Sequence, residues 1–187
     1  MKKSYLNSER NTALFSKPSK AFRLLLMVLF VCLFANVVSA QKTWDGGGDG
    51  VNWSSGNNWN PNGVPTAAQT VVIANGINIT VNTAAVCSTF TISGGGNANN
   101  VTISGANSLT VSGAVTIGAG TGFGDNKILN VGTGTLSCAS IAVTATGSTN
   151  RTSGVTLSTG TVNVSGSVTM GDTNDDFTFT GAGTLHI

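Results

Sequence analysis

Three sets of residues in this chain have types and spacings that could do chemistry. Trp44, Trp53 and Trp59, the only tryptophans, lie within the stretch TWDGGGDGVNWSSGNNWNPNGVP at residues 43 to 65. Indole rings on a surface stack against sugar rings, and neighbouring Asp and Asn side chains hydrogen-bond sugar hydroxyls, so this stretch is a candidate carbohydrate platform. Asp172, Asn174 and Asp176 in GDTNDDF repeat the first three alternating oxygen ligands of a calcium loop. Phe177 stands where the loop glycine belongs and no distal Glu follows, so the metal match covers only half of a loop. Cys87 and Cys138 are the third set, a pair that an exported chain would ordinarily join.

Catalysis has thin support. His186 is the only histidine and no nucleophile is spaced to partner it. After residue 42 the cations are Lys127 and Arg151, while the acids sit singly in Gly-rich turns apart from the GDTNDDF cluster. The run Gly46, Gly47, Gly48, Gly50 lacks the preceding strand, following helix and lysine of a phosphate cradle, and reads as a tight loop. The expectation is a non-enzymatic chain without a cofactor.

Residues 1 to 40 differ from the rest. Lys2, Lys3, Arg10, Lys17, Lys20 and Arg23 precede the 15-residue apolar run LLLMVLFVCLFANVV at 24 to 38. A membrane span needs about 20 apolar residues, so the run fits a signal peptide. Val38-Ser39-Ala40 presents small residues to a signal peptidase, with Gln41 as the first mature residue. The whole chain carries +2, but residues 41 to 187 hold three basic residues against six aspartates, a net of −3. Nucleic acid is therefore excluded as a natural partner, and no membrane contact is expected after cleavage.

The elements that must position the candidate residues are strands. From residue 71 the chain reads TVVIA, INITV, TFTIS, NVTIS, SLTVS, AVTIG, ILNVG, SIAVT, GVTLS, TVNVS, SVTMG and FTFTG. Apolar residues alternate with Thr or Asn, the period of a half-buried strand. The strands also repeat. VTISGANSLTVSGAVTIG (101–118) aligns with VTLSTGTVNVSGSVTMG (155–171), SCASIAV (137–143) with VCSTFTI (86–92), and ILNVGTGTL (128–136) with FTFTGAGTL (177–185). A unit of about 50 residues with six short strands is half an immunoglobulin-like sandwich but two full coils of a solenoid.

The fold class is therefore all-β, a right-handed parallel β-helix over 71–187 with a Trp-rich N-terminal cap over 41–70. Three further expectations follow. Equivalent repeat positions place Cys87 and Cys138 two coils apart, on the order of 10 Å and outside disulfide range, so both are free core residues. The middle Thr of TFTIS, NVTIS, SLTVS, AVTIG and GVTLS points outward and stacks into columns, a face for ice or a crystalline polysaccharide. Gly and Asn mark corners, where positive φ is cheap. The repeat stops at Leu185-His186-Ile187 with its last coil uncovered, which implies either the N-terminal part of a longer protein or a truncated gene.

The order Trp44, Gly46-Gly47, Gly50, Trp53, Asn58-Trp59, Pro65 and a following strand resembles the N-terminal region of secreted bacterial repeat proteins, often from Bacteroidota, of the adhesin-like or autotransporter-associated β-strand type. Segments such as SLTVSGAVTIG look like the parallel β-helix that follows in them. The resemblance implies a secreted or cell-surface stalk or adhesin whose partners are extracellular polysaccharides or host glycans. It supplies no catalytic residues. The rival readings are a carbohydrate- or ice-binding module using the Trp or Thr face, and the non-catalytic start of a polysaccharide-acting β-helix enzyme.

Overall fold

In the computed structural model, the described residues are 19–24, 40–74, 76–93, 98–119, 124–144, 150–172 and 174–187. The chain divides into two units, Met1–Val38 and Ser39–Ile187. In the first, residues 20–24 are helical, with Arg23 N–H donating to Ser19 O. Among the described residues no helix is long and apolar enough to cross a membrane. Residues 25–39, which take in most of the apolar run and the Val38-Ser39 part of the cleavage motif, lie outside the described residues.

The second unit is a β-solenoid of about five turns with parallel sheets. Its elements are β1 (Lys42–Trp44), β2 (Trp59–Asn60), β3 (Thr70–Ile73), β4 (Asn78–Val81), β5 (Ala84–Cys87), β6 (Thr89–Ile92), β7 (Asn99–Ile103), β8 (Ser108–Ile117), β9 (Lys127–Val131), β10 (Thr135–Val143), β11 (Ser153–Leu157), β12 (Thr161–Val164), β13 (Val168–Thr169), β14 (Asp175–Phe179) and β15 (Thr184–His186). One sheet holds ten strands, and the other stacks β4, β7, β9, β11 and β14. The first sheet bends. The front half of β8 receives β5 and its rear half receives β6, and β10 likewise takes β12 and β13 on its two halves. Each inner coil thus contributes three strand segments, as the 25-residue spacing predicts.

Alternation sets which residues form the core. Val71, Phe90, Val115 and Ile141 stack in register, as do Ile73, Ile92 and Ile117, and all are buried. In the second sheet the inward columns run Ile79, Val101, Leu129, Val155 and Val81, Ile103, Val131, Leu157. A single coil has no interior, so each inward side chain is buried by those one rung above and below, about 4.8 Å away.

Two sequence expectations are corrected. The alignment of ILNV with FTFT sets Ile128 against Phe177, but the ladders pair Leu129 with Val155 and Val155 with Phe177. The register is one residue off from that alignment, and Ile128 faces outward beside Gly154. Positive φ also accounts for only some of the corner residues. Among the described residues positive φ occurs only at Gly46, Gly50, Gly63, Gly105 and Gly124, and at no Asn. Gly160 instead provides close approach, since a Cβ there would lie 2.3 Å from Gly134 O. Carbonyls of Asn107, Gly134 and Gly160 accept the N–H of Thr135, Thr161 and Thr184, so this corner stacks backbone on backbone.

Candidate functional site

The cap is built on both sheets at once. β1 pairs parallel with β3, and β2 returns antiparallel to β1. On the other sheet Trp53 N–H donates to Thr80 O at 2.9 Å and Thr80 N–H to Val51 O at 2.9 Å, so residues 51–53 cover the edge of β4. The first rung therefore has no open ladder on either of these faces.

All three tryptophans point into this structure, with 0–1% of their surfaces exposed. Trp59 meets Trp44 edge-on at 4.9 Å and Trp53 at 4.7 Å, and Trp53 lies 5.9 Å from Phe90 of the next coil. Trp59 Nε1 donates to Trp53 O at 2.9 Å, while the Nε1 atoms of Trp44 and Trp53 are buried without a partner. A ring that stacks on sugar must present a face to solvent, and none of these does. Trp44, Trp53 and Trp59 are thus packed as a lid and present no ring face for a carbohydrate platform.

The polar residues around the lid are similarly committed. Asp49 accepts the N–H groups of Val51 and Asn52 and the amides of Asn52 and Asn58. Those bonds, Asn52 N–H foremost, hold its carboxyl well below the usual carboxylate range. Asn58 Oδ1 receives the N–H of Gly48 and Gly50, so the glycine run wraps one buried amide. Lys42 is buried as well, its Nζ donating to Pro61 O at 2.6 Å and Asn62 O at 3.0 Å.

The Asp172, Asn174, Asp176 trio does not converge. Asp172 Oδ1 accepts Asn174 N–H at 2.8 Å, closing a local turn. Asp176 lies in β14 with its side chain exposed, on the face opposite to the buried Asp175. Among the described residues no group of three His, Cys, Asp or Glu side chains is placed to hold a metal. The residue the motif overlooked is Asp175. Its Oδ2 accepts the N–H of Gly171 and Asp172, its Oδ1 is buried without a partner, and burial pushes its carboxyl up.

The cysteines fall as the repeat predicts. Cys87 pairs with Val111 and Val111 with Cys138, so one rung separates them. Both are free and buried, and desolvation pushes their thiols up to about 12 and about 11.

Outward columns form, but the five middle threonines do not share one face: Thr91, Thr110 and Thr116 lie on the first sheet and Thr102 and Thr156 on the second. On the second sheet Thr80, Thr102, Asn130, Thr156 and Thr178 stand one rung apart in register, with Asn78, Asn100, Ile128, Gly154 and Asp176 beside them. Asn100 Nδ2 donates to Asn78 Oδ1 at 2.9 Å along this second column.

One inward column is polar, and sequence reading missed it. Asn99, Lys127, Ser153 and Asp175 stack in register at the start of the second sheet, all buried. Lys127 is ion-paired with Asp125, which is also buried rather than in a solvated turn. Ser153 Oγ donates to Gly118 O at 3.1 Å, and Asn99 Nδ2 to Ser93 O at 3.3 Å, while Asn99 Oδ1 has no partner. A cue existed in KILNV: if Leu129 and Val131 face inward, period 2 forces Lys127 inward too.

Compared with known proteins, residues 43–170 match a family described as a domain of unknown function, DUF8693. No curated protein and no solved structure matches the chain. The matched span takes in the tryptophan lid and most of the stacked coils, more than half of the sequence, and the chain belongs to the DUF8693 family.

Proposed function

We propose that this chain is an exported, non-enzymatic rod that presents repeated polar faces to extracellular polysaccharide or cell-surface glycans. The observation that carries this reading is the outward column Thr80, Thr102, Asn130, Thr156 and Thr178, a polar side chain at every rung of one sheet. Each hydroxyl or amide contributes one weak hydrogen bond to a hydroxylated polymer. Five in register convert weak contacts into avidity, because once one rung is bound the next is held close to its own partner. The basic, then apolar, then small-residue order of residues 2 to 40 supports export.

The experiment is retention of the purified protein on insoluble glycans, with chitin, cellulose and bacterial cell wall as probes. Replacing Thr80, Thr102, Thr156 and Thr178 by Val keeps the strand preference and removes the hydroxyls. Retention falls stepwise with each substitution if the column is the contact. A quadruple variant retained like the wild type, or a wild type retained by none of the glycans, overturns the reading.

A further inference from the structure

A buried amine, a carboxamide and a carboxylate lie together at the start of the second sheet. Lys127 and Asn99 are direct register partners on adjacent strands and both are 0% exposed. Asp125, 1% exposed, is ion-paired with Lys127. Asn99 Oδ1 is buried and accepts no hydrogen bond. Burying an ion pair costs several kcal/mol per ion before attraction offsets it. The rung has no need of a charge, since the neighbouring coils fill the same position with Asn99 and Ser153. A stack held only by packing would do as well with an apolar residue at 127.

We propose that Lys127 and Asn99 join in an intramolecular amide bond that ties one coil to the next, with Asp125 carrying the proton. A proton passes from Lys127 Nζ to the Asp125 carboxylate, leaving a neutral amine in a water-excluded site. The rungs are about 4.8 Å apart, and rotation about the lysine's methylene torsions carries Nζ from Asp125 to the carboxamide. The Nζ lone pair attacks Asn99 Cγ, a C–N bond forms, and the developing charge on Oδ1 is met by the protonated Asp125. The Cγ–Nδ2 bond then breaks and ammonia leaves. Of the three lysine protons, one stays on the new amide, one departs on ammonia and one remains with Asp125. No electron is transferred and no co-reactant is needed. Asp125 serves as a general acid and base, and Asn99 and Lys127 are the reacting groups.

The product removes both buried charges at Lys127 and the open carboxamide oxygen's isolation in one step. It also closes the loop of coil between residues 99 and 127 covalently, which restricts the unfolded chain as any cross-link does.

Intact mass spectrometry of the purified, folded protein tests this, with its N-terminus sequenced so that the reference mass is known. The expected mass is lower than the sequence mass by one ammonia, and proteolysis yields a branched peptide joining the segments that contain Asn99 and Lys127. Lys127→Arg, Asn99→Ala and Asp125→Asn each restore the full sequence mass, and circular dichroism reports whether each variant is folded. A wild-type protein of full sequence mass, whose Lys127 is acetylated by an amine reagent after denaturation, overturns the proposal. The branched peptide decides the matter even where a variant does not fold, because an N-terminal Gln41 that cyclises also loses one ammonia.

Discussion

Replacing Trp59 by Ala removes the centre of the lid, and its cost can be worked from the packing. Emptying a fully buried Trp site costs about 3–5 kcal/mol in transfer and cavity terms. Trp59 also makes edge contacts at 4.9 and 4.7 Å with two other indoles, each worth about 0.5–1.5 kcal/mol beyond area. Its Nε1 donates to Trp53 O inside the lid. Because these terms overlap, the expected loss is about 5 kcal/mol, a large share of the roughly 5–15 kcal/mol that holds a domain together. Trp59→Phe keeps most of the ring packing and loses the hydrogen bond, for about 2 kcal/mol. With a urea slope of about 2 kcal/mol/M, these correspond to midpoint shifts of about 2.5 M and about 1 M. Urea denaturation followed by far-ultraviolet circular dichroism reads them, with Val51→Ala, at a side chain 46% exposed, as a control expected within about 0.5 kcal/mol. Hydrogen exchange of Trp59→Ala opens first around Thr80 and Phe90, because each coil depends on its neighbour. A Trp59→Ala midpoint indistinguishable from wild type refutes the packed-lid account, and so does loss of glycan retention in a folded Trp59→Phe with unchanged stability.

Cys87 and Cys138 resist a thiol reagent in the native protein at pH 8 and both react in denaturant, because their thiols are raised to about 12 and about 11 and the thiolate is the reactive form; rapid native labelling of either residue contradicts this. Asp49 is held below its unfolded value, so its contribution is complete above about pH 4 and is lost as pH falls through the folded value; Asp49→Ala accordingly lowers the melting temperature at pH 7 and much less at pH 2. Asp175 has the opposite sign, since its raised carboxyl makes ionisation unfavourable in the fold as pH rises past the ordinary range. Asp175→Asn then raises the melting temperature at pH 7, and the gain shrinks below about pH 4. Gly160→Ala drives a Cβ to 2.3 Å from Gly134 O and is expected to cost at least about 1–3 kcal/mol by urea denaturation; an unchanged midpoint would show that the corner can relax.

Strand alternation was enough to read most of the core. In NVTIS and TFTIS only one phase puts apolar residues inside, and Val101, Ile103, Phe90 and Ile92 are all buried. ILNV had the same single phase, since Leu129 and Val131 flank Asn130 and both are buried, and only its alignment with FTFT was one residue off. That phase carries Lys127 inward as well, and the fold buries the lysine against Asp125. The two-coil offset of Cys87 and Cys138 was legible because repeat equivalence is a property of the sequence itself. The polar column was not, because Asn99, Lys127, Ser153 and Asp175 become neighbours only through the coil lengths between them. The tryptophans were visible as a lid by position, yet their burial depended on β2 and residues 51–53 folding back over two sheets, which no local pattern announces.

The ladder hydrogen bonds run along the axis of the stack, and this gives the solenoid a mechanical character. A pull along the axis loads every bond of one rung together and passes the same force to the next rung, so yield is set by the weakest rung. Among the described residues the first rung is held by two β1–β3 register pairs and the single bridge of Asn52 to Thr80, whereas the last has eight pairs in β11–β14 and β12–β15, and β8–β10 alone has eight with a bulge between them. Force therefore opens the rung between β1 and β3 first and leaves the β8–β10 centre intact, as a rope frays from its end.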